Sequence, residues 1–261
     1  MITKKHFLTA FLLLVLAACG GGGGSATPSP PAVVPPPPPP PTDELPGGHW
    51  FGTLTNDLSA ITEDFIAMVD ENGRFRFVSV DSAVQMSGNF SVALSVLNGD
   101  GTAFADAGVF WLDSTSATPV TIVGTLDGRS TMTGTWTTIS GESGSFDFQY
   151  DPTFYERVSQ LDQLAGSWIS YDEFLNPEVT FTIAADGSFN GQNTMGCNSL
   201  GQFGLINSGF NLFEVQATIS GCSLAGDYVG LAFLADILAP NDVMLYAVDN
   251  GSRAYLIGFE K

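Results

Sequence analysis

The chain has 261 residues, of which 27 are Asp or Glu and only 8 are Lys or Arg, giving a formal net charge of -19 at pH 7. This negative charge argues against nucleic acid as a partner, and against binding of the protein body to anionic lipid surfaces. Two histidines and three cysteines also restrict the metal and thiol chemistry that the chain can support.

The start of the chain has the pattern of a secretory signal peptide, which we assign to residues 1–18. Lys4 and Lys5 precede an apolar run from Phe7 to Ala18. A basic start, a short apolar core and small residues at the end are typical of an export signal. The apolar core would be about 18 Å long as a helix, which is too short to cross a hydrocarbon layer of roughly 30 Å.

The end of this signal, Leu16-Ala17-Ala18-Cys19, resembles the lipobox of bacterial lipoproteins. The resemblance implies cleavage before Cys19, a diacylglycerol on its sulfur and an acyl chain on the new amino terminus. More than one lipid chain is needed for a stable anchor. Gly20 stands where an Asp would resemble an inner-membrane retention signal, so we expect the outer membrane of a Gram-negative bacterium. We expect the protein to face the periplasm, although glycine-rich tethers also resemble those of cell-surface lipoproteins.

Residues 19–46 are interpreted as a tether between the lipid and a folded body. Glycines occupy positions 20–24, and prolines occupy positions 35–41. The glycines form a flexible joint, whereas the proline run favours an extended helix of about 3.1 Å per residue. An aromatic groove in another protein could bind such prolines, but spacing a domain from a bilayer is a sufficient reason for them.

The first block of the body, residues 47–150, predicts an antiparallel β-barrel. Apolar residues alternate with polar or small ones in segments such as Phe75–Val80 and Thr131–Trp136, which is typical of strands with one buried face. About eight such segments, separated by Asn-Gly and Asp-Gly turns, favour an eight-stranded up-and-down barrel. The block resembles lipocalins in strand count only. Its aromatic residues would either fill a core or line a ligand cavity, and they include Phe65, Phe75, Phe77, Phe90, Phe110, Trp111 and Trp136.

An internal repeat predicts a second block of the same kind, residues 164–261, after a linker of residues 151–163. Three short motifs recur in the same order at nearly constant offsets, as loops of slightly different length would cause. The pairs are Gly48-His49-Trp50 with Gly166-Ser167-Trp168, Asn72-Gly73-Arg74-Phe75 with Asp186-Gly187-Ser188-Phe189, and Gly88-Asn89-Phe90 with Gly201-Gln202-Phe203.

The second block also reads as a β-sheet or barrel, but with one packed helix. From Ala225 to Leu238, apolar residues recur at helical spacing, and Pro240 follows. Together with Leu164-Ala165-Gly166-Ser167-Trp168, Gly196-Cys197-Asn198 and Thr218-Ile219-Ser220-Gly221-Cys222, this order resembles the META domain of bacterial heat-shock-associated lipoproteins. The resemblance implies a small β-rich envelope domain without an agreed enzymatic activity. The predicted fold class is therefore mainly β, with two small β domains.

Two cysteines remain once Cys19 is assigned to the lipid. Cys197 and Cys222 are expected to form a disulfide in an oxidising periplasm, although a reactive or metal-binding pair is the alternative. Two sulfurs without nearby histidines make a poor zinc site. Within the Gly196-Cys197-Asn198 motif, we expect Asn198 to fill a turn position that tolerates unusual dihedral angles, with a binding role as the alternative.

The residues for catalysis are few. His49 is the only histidine after Cys19, and we expect it at an exposed strand start rather than in a catalytic triad. The neighbours Glu63-Asp64 and Asp172-Glu173 suggest a glycosidase pair, but exposed strand ends explain them better. Turns such as Asp70-Glu71-Asn72-Gly73 do not match the ligand spacing of an EF-hand. We therefore predict no catalytic residue, no metal and no cofactor.

Two functions from different classes fit these observations. The first is a non-enzymatic lipid-anchored envelope protein that presents two β modules to a basic or envelope protein partner. The alternative is a carrier that holds a small apolar ligand inside the first barrel, since eight strands can enclose one such ligand.

Overall fold

A computed structural model describes residues 45–79, 82, 84–104, 117–171 and 174–261 of the chain. Cys19, the signal peptide, nearly all of the tether, Phe110, Trp111 and the Asp172-Glu173 pair lie outside these residues. The described part contains two closed eight-stranded antiparallel barrels joined by a short linker. This confirms the prediction of a mainly β protein and of an up-and-down barrel in the first block.

Barrel 1 consists of consecutive antiparallel strands that close where β1 pairs with β8, from Trp50 opposite Tyr150 to Asn56 opposite Gly144. Every second residue of each strand points inward, and most of these inward residues are apolar, so they form a hydrophobic core. The strands are β1 (Gly48–Asn56), β2 (Thr62–Val69), β3 (Arg74–Ser79), β4 (Gln85–Ala93), β5 (Val96–Phe104), β6 (Thr118–Asp127), β7 (Thr131–Thr138) and β8 (Ser143–Tyr150).

Barrel 2 repeats this arrangement and closes between β9 and β16, where Ile169 lies opposite Glu260. The linker before it contains the short helix α1 (Pro152–Tyr155) and a 3-10 turn (Leu161–Leu164). The strands are β9 (Gly166–Tyr171), β10 (Pro177–Ile183), β11 (Ser188–Asn193), β12 (Asn198–Leu205), β13 (Phe213–Ser220), β14 (Gly226–Ala235), β15 (Val243–Asp249) and β16 (Ala254–Glu260).

The sequence repeat corresponds to equivalent positions in the two barrels. Gly73 and Gly187 occupy the β2–β3 and β10–β11 turns with φ values of +85° and +84°. The carbonyl of Gly73 accepts a hydrogen bond from the Phe90 amide at 2.9 Å, and the carbonyl of Gly187 accepts one from the Phe203 amide at 2.9 Å. Both glycines lie so close to these phenylalanine carbonyls that a Cβ atom would collide with them. Only glycine fits such a turn, which accounts for the repeated motif.

The helix predicted for Ala225–Leu238 is wrong, because this stretch contains strand β14. Tyr228, Ala232 and Leu234 point into the core of barrel 2. Leu231 and Phe233, on the opposite face, are buried in a separate apolar cluster between the barrels. A strand buried on both faces loses the apolar–polar alternation that identifies strands in sequence, and the remaining pattern resembled a helix.

That cluster is the junction between the barrels. It joins the outer faces of β2 and β3 to those of β14 and β15, with contributions from the linker and the β12–β13 loop. The junction consists of Met68, Val78, Tyr155, Leu212, Leu231, Phe233, Ala235, Val243 and Ala247, all of them buried.

Candidate functional site

The disulfide lies at one end of barrel 2 and is the first candidate site. Cys197 and Cys222 are bonded, with 5.0 Å between their Cα atoms. The bond connects the β11–β12 turn to the β13–β14 turn, so the predicted pairing is present. Cys197 is buried, which is the environment of a structural rather than a reactive cysteine.

The Gly196-Cys197-Asn198 motif builds the turn next to this disulfide, but not in the way that we predicted. Gly196 holds the left-handed conformation, with φ at +83°. The Asn193 side chain organises the turn by accepting hydrogen bonds from the amides of Met195 at 3.0 Å and Cys197 at 2.9 Å. Asn198 is instead the first residue of β12, where it lies opposite Gln192 and Ser220. The prediction of a turn position for Asn198 is therefore wrong.

Asn198 contributes to a shallow depression on the outside of barrel 2. The depression is open to solvent and is lined by uncharged side chains, namely Thr180, Thr182, Asn190, Gln192, Asn198, Ser199 and Leu200, around Gly191. A second depression lies on the outside of barrel 1 and is lined by Thr53, Thr55, Thr133, Ser145, Asp147, Gly134 and Phe146. Both are on strand faces, where threonine is favoured by its β-branched shape.

Aromatic side chains fill the described interior of barrel 1. Phe65, Phe75, Phe77 and Trp136 are all 1% exposed or less, and Phe90 is 4% exposed. The rings contact one another, with centroid separations of 4.7 Å for Phe75–Phe77 and 5.3 Å for Phe75–Phe90. These contacts correspond to a packed core and give no support to the carrier function.

The junction is the second candidate site, because most of the cations of the body form ion pairs inside or beside it. Arg76 of barrel 1 is buried there, with Nη2 located 3.0 Å from Asp249 Oδ2 of barrel 2. Oδ2 lacks hydrogen-bond geometry despite this short distance, so the contact is an ion pair. Arg76 also donates hydrogen bonds from Nη2 to the Val229 carbonyl at 3.1 Å and from Nη1 to the Phe75 carbonyl at 2.9 Å. Burial lowers the pKa of Arg76, and Asp249 partly opposes this shift.

Arg129, in the turn between β6 and β7, reaches the linker at the edge of the junction. Its Nη1 donates to Glu156 Oε1 at 2.9 Å, and its Nη2 lies 3.3 Å from Glu71 Oε1. The guanidinium also lies 4.9 Å from the centroid of the Phe210 ring, which stacks on Tyr155 at 4.5 Å. Such a cation–π contact stabilises by about 0.5–2 kcal/mol.

His49 is buried in this junction and not exposed as predicted. Its ring lies 4.2 Å from Phe233 and 5.6 Å from Tyr155, measured between centroids. Neither ring nitrogen has a side-chain hydrogen-bond partner with good geometry among the described residues. Burial, together with the positive charge of Arg157, lowers the pKa of His49 to about 3. The ring is therefore neutral at physiological pH.

The described acidic pair, Glu63-Asp64, does not have the arrangement of a catalytic dyad. Glu63 and Asp64 are successive residues of β2, so their side chains point to opposite faces. Glu63 accepts hydrogen bonds from the hydroxyls of Ser79 and Ser82. Asp70 caps its own turn through the amides of Asn72 and Arg74, both at 2.9 Å. No group of three or more potential metal ligands occurs among the described residues.

Within the described ranges, no helix is long and apolar enough to cross a membrane. Comparisons with models of known protein families, with curated proteins and with solved structures found no match. The likeness of residues 164–261 to the META domain consequently rests on their motif residues alone.

Sequence reasoning missed the junction residues. Arg76 and Met68 belong to strands whose opposite faces fill barrel 1, and nothing in the alternation distinguishes a face covered by a second barrel from one covered by water. One available signal was the apolar run of β14. Another was the position of the arginines, because Arg74, Arg76, Arg129 and Arg157 all occur near strand ends or in the linker.

Proposed function

We propose that this protein is a non-enzymatic lipoprotein of the Gram-negative outer membrane that presents its two barrels, on a tether anchored through Cys19, to a basic protein partner. The export signal and the lipobox-like residues support the anchor. The tether would keep the body clear of the bilayer, and the periplasmic side is the expected location.

The proposed partner class is inferred from the contacts that the cations of the protein make within the protein itself. Cleavage before Cys19 would remove Lys4 and Lys5, leaving 6 of the 8 cations against 27 carboxylates, a net charge of 6 − 27 = −21. Four of the six form ion pairs inside or beside the junction: Arg74, Arg76, Arg129 and Arg157. Arg253 donates to the Ser223 carbonyl, and Lys261 donates to the Gln163 carbonyl.

The acidic surface is therefore not neutralised by cations that project from it. Exposed carboxylates such as Asp100, Asp147 and Asp186 remain available to a partner. A complementary basic surface would be attracted over the screening distance of about 8 Å at physiological salt. Such an attraction raises association rates and selects for positively charged partners.

A carbodiimide, which joins a carboxylate directly to an amine, tests this proposal in intact cells. Because Lys261 carries the only lysine amine of the processed body, we expect covalent products mostly with lysines of another protein. These products should involve exposed carboxylates and should decrease when the salt concentration is raised. Products confined to Lys261, or products unaffected by salt, would contradict a basic partner.

A further inference from the structure

The junction contains polar atoms that are removed from water and have no well-aligned hydrogen-bond partner. Both ring nitrogens of His49 and Nε of Arg76 have no side-chain hydrogen-bond partner among the described residues. His49 is 0% exposed and Arg76 is 4% exposed. An unpaired buried polar atom opposes burial, so the His49 ring weakens the contact that the apolar residues of the junction stabilise.

Each barrel is complete without the other. The strand pairing closes within barrel 1 and within barrel 2, so no described strand pairs between them. Each barrel also has its own apolar cluster, distinct from that of the junction. Separation of the barrels would therefore break the junction but no strand ladder.

No carboxylate of the described residues is among the groups that shift the pKa of His49. Its cross-strand neighbour on β2 is Met68, and Phe233 of β14 packs against its ring. From the linker, Tyr155 faces the ring, with its hydroxyl directed to Glu71. The charged group that acts on the ring is the Arg157 guanidinium, which Asp236 holds at 3.0 Å. From the β12–β13 loop, the Asn211 backbone favours the protonated ring and raises its pKa, but this effect is smaller than those of burial and of Arg157.

We propose that the junction is an acid-sensitive domain interface, in which protonation of His49 favours separation of the two barrels and exposure of their apolar contact faces. A proton on the buried ring would add a second positive charge beside Arg157. In the separated state, water solvates that charge. The exposed faces would include Met68, Val78, Leu231 and Phe233.

The pH dependence of barrel separation follows from the pKa of His49 in the closed and separated states. In the separated state the exposed ring has a pKa near 6.5, whereas in the closed state its pKa is about 3. Between these values the separated state binds more protons, so closure is most favourable above about pH 6.5 and weakens as the pH falls. Each pH unit within that range shifts the equilibrium toward separation by about tenfold. Carboxylates with pKa values near 4 remain mostly ionised at about pH 5.

The methionines of the chain report this separation directly. Met68 is buried in the junction, whereas Met132 and Met244 are buried inside barrels 1 and 2. Met195 is 63% exposed and serves as an internal standard. The full-length protein would be oxidised with hydrogen peroxide at about pH 7 and about pH 5, and the oxidation of each methionine measured by peptide mass spectrometry. Relative to Met195, we expect Met68 to oxidise at least tenfold faster at the lower pH.

His49→Phe is the matched control, because phenylalanine keeps an aromatic ring but cannot take up a proton. In this variant, Met68 oxidation should not depend on pH over the same range, while Met132 and Met244 stay protected. His49→Gln provides a second variant without a titratable ring if the first fails to fold. Equal protection of Met68 at both pH values in the native protein would overturn the proposal. Parallel exposure of Met68, Met132 and Met244 would also overturn it, because that result means unfolding.

Discussion

Replacing Arg76 with Met should destabilise the folded protein by about 3–5 kcal/mol. The variant leaves Asp249 of barrel 2 buried next to an apolar side chain, and a buried carboxylate without its cation is costly. Asp249 is 8% exposed, so water cannot replace the lost guanidinium without opening the junction. Urea unfolding followed by tryptophan fluorescence gives the free energy of unfolding of each variant.

A double variant separates loss of the charge pair from loss of packing. Arg76→Met combined with Asp249→Leu removes both charges, and exchange of a buried pair for apolar residues is often neutral. The double variant should therefore regain most of the stability that the single variant loses. Arg253→Met, on the exposed β15–β16 turn, is the control and should change stability by no more than about 0.5 kcal/mol. A double variant as unstable as Arg76→Met alone would argue against a buried ion pair.

Replacing both Cys197 and Cys222 with Ser should destabilise barrel 2 by about 3–4 kcal/mol in the chain-entropy model, given their separation of 25 residues. The disulfide restricts the unfolded chain across β12 and β13, so its removal gives the unfolded state more freedom. Hydrogen exchange measured by mass spectrometry reports the two barrels separately. Faster exchange is expected in β11 to β14, with barrel 1 unchanged.

Reduction of the native protein provides the control for the disulfide. Added reductant should bring the native protein to the stability of the double serine variant and should leave that variant unaffected. A loss of protection that is as large in barrel 1 as in barrel 2 would contradict a disulfide that acts within barrel 2.

The strands of barrel 1 could be predicted because their outer faces remain largely polar. In β7, Met132 and Trp136 alternate with threonines, and this period of two defines both the strand and its buried face. The glycine turns were also predictable, since Gly73 and Gly187 occupy equivalent positive-φ turns in two barrels that share a topology.

The junction could not be predicted, because a strand covered on both faces has no alternation. In β14, Phe233 and Leu234 point to opposite sides and are both buried. Burial under a second barrel also explains why the prediction for His49 was wrong. A polar side chain at a strand start is normally exposed, but barrel 2 packs over this one. The contact depends on the relative placement of two domains, and local sequence carries little information about that placement.

The candidate site was predicted only in part. The pairing of Cys197 with Cys222 was predictable from their number and the expected compartment. The role of Asn198 was not, because the turn is organised by Asn193, which precedes the motif. Asparagine is common in turns, and the motif alone does not indicate that Asn198 lies just beyond the turn, at the start of β12.

The mass of the amino-terminal peptide, measured on protein extracted from outer membranes, decides whether lipid holds the two-barrel body to a membrane. We expect a peptide that begins at Cys19 and carries a diacylglycerol and an amide-linked acyl chain. A membrane-extracted protein that retains residues 1–18, or that has an unmodified Cys19, would contradict it.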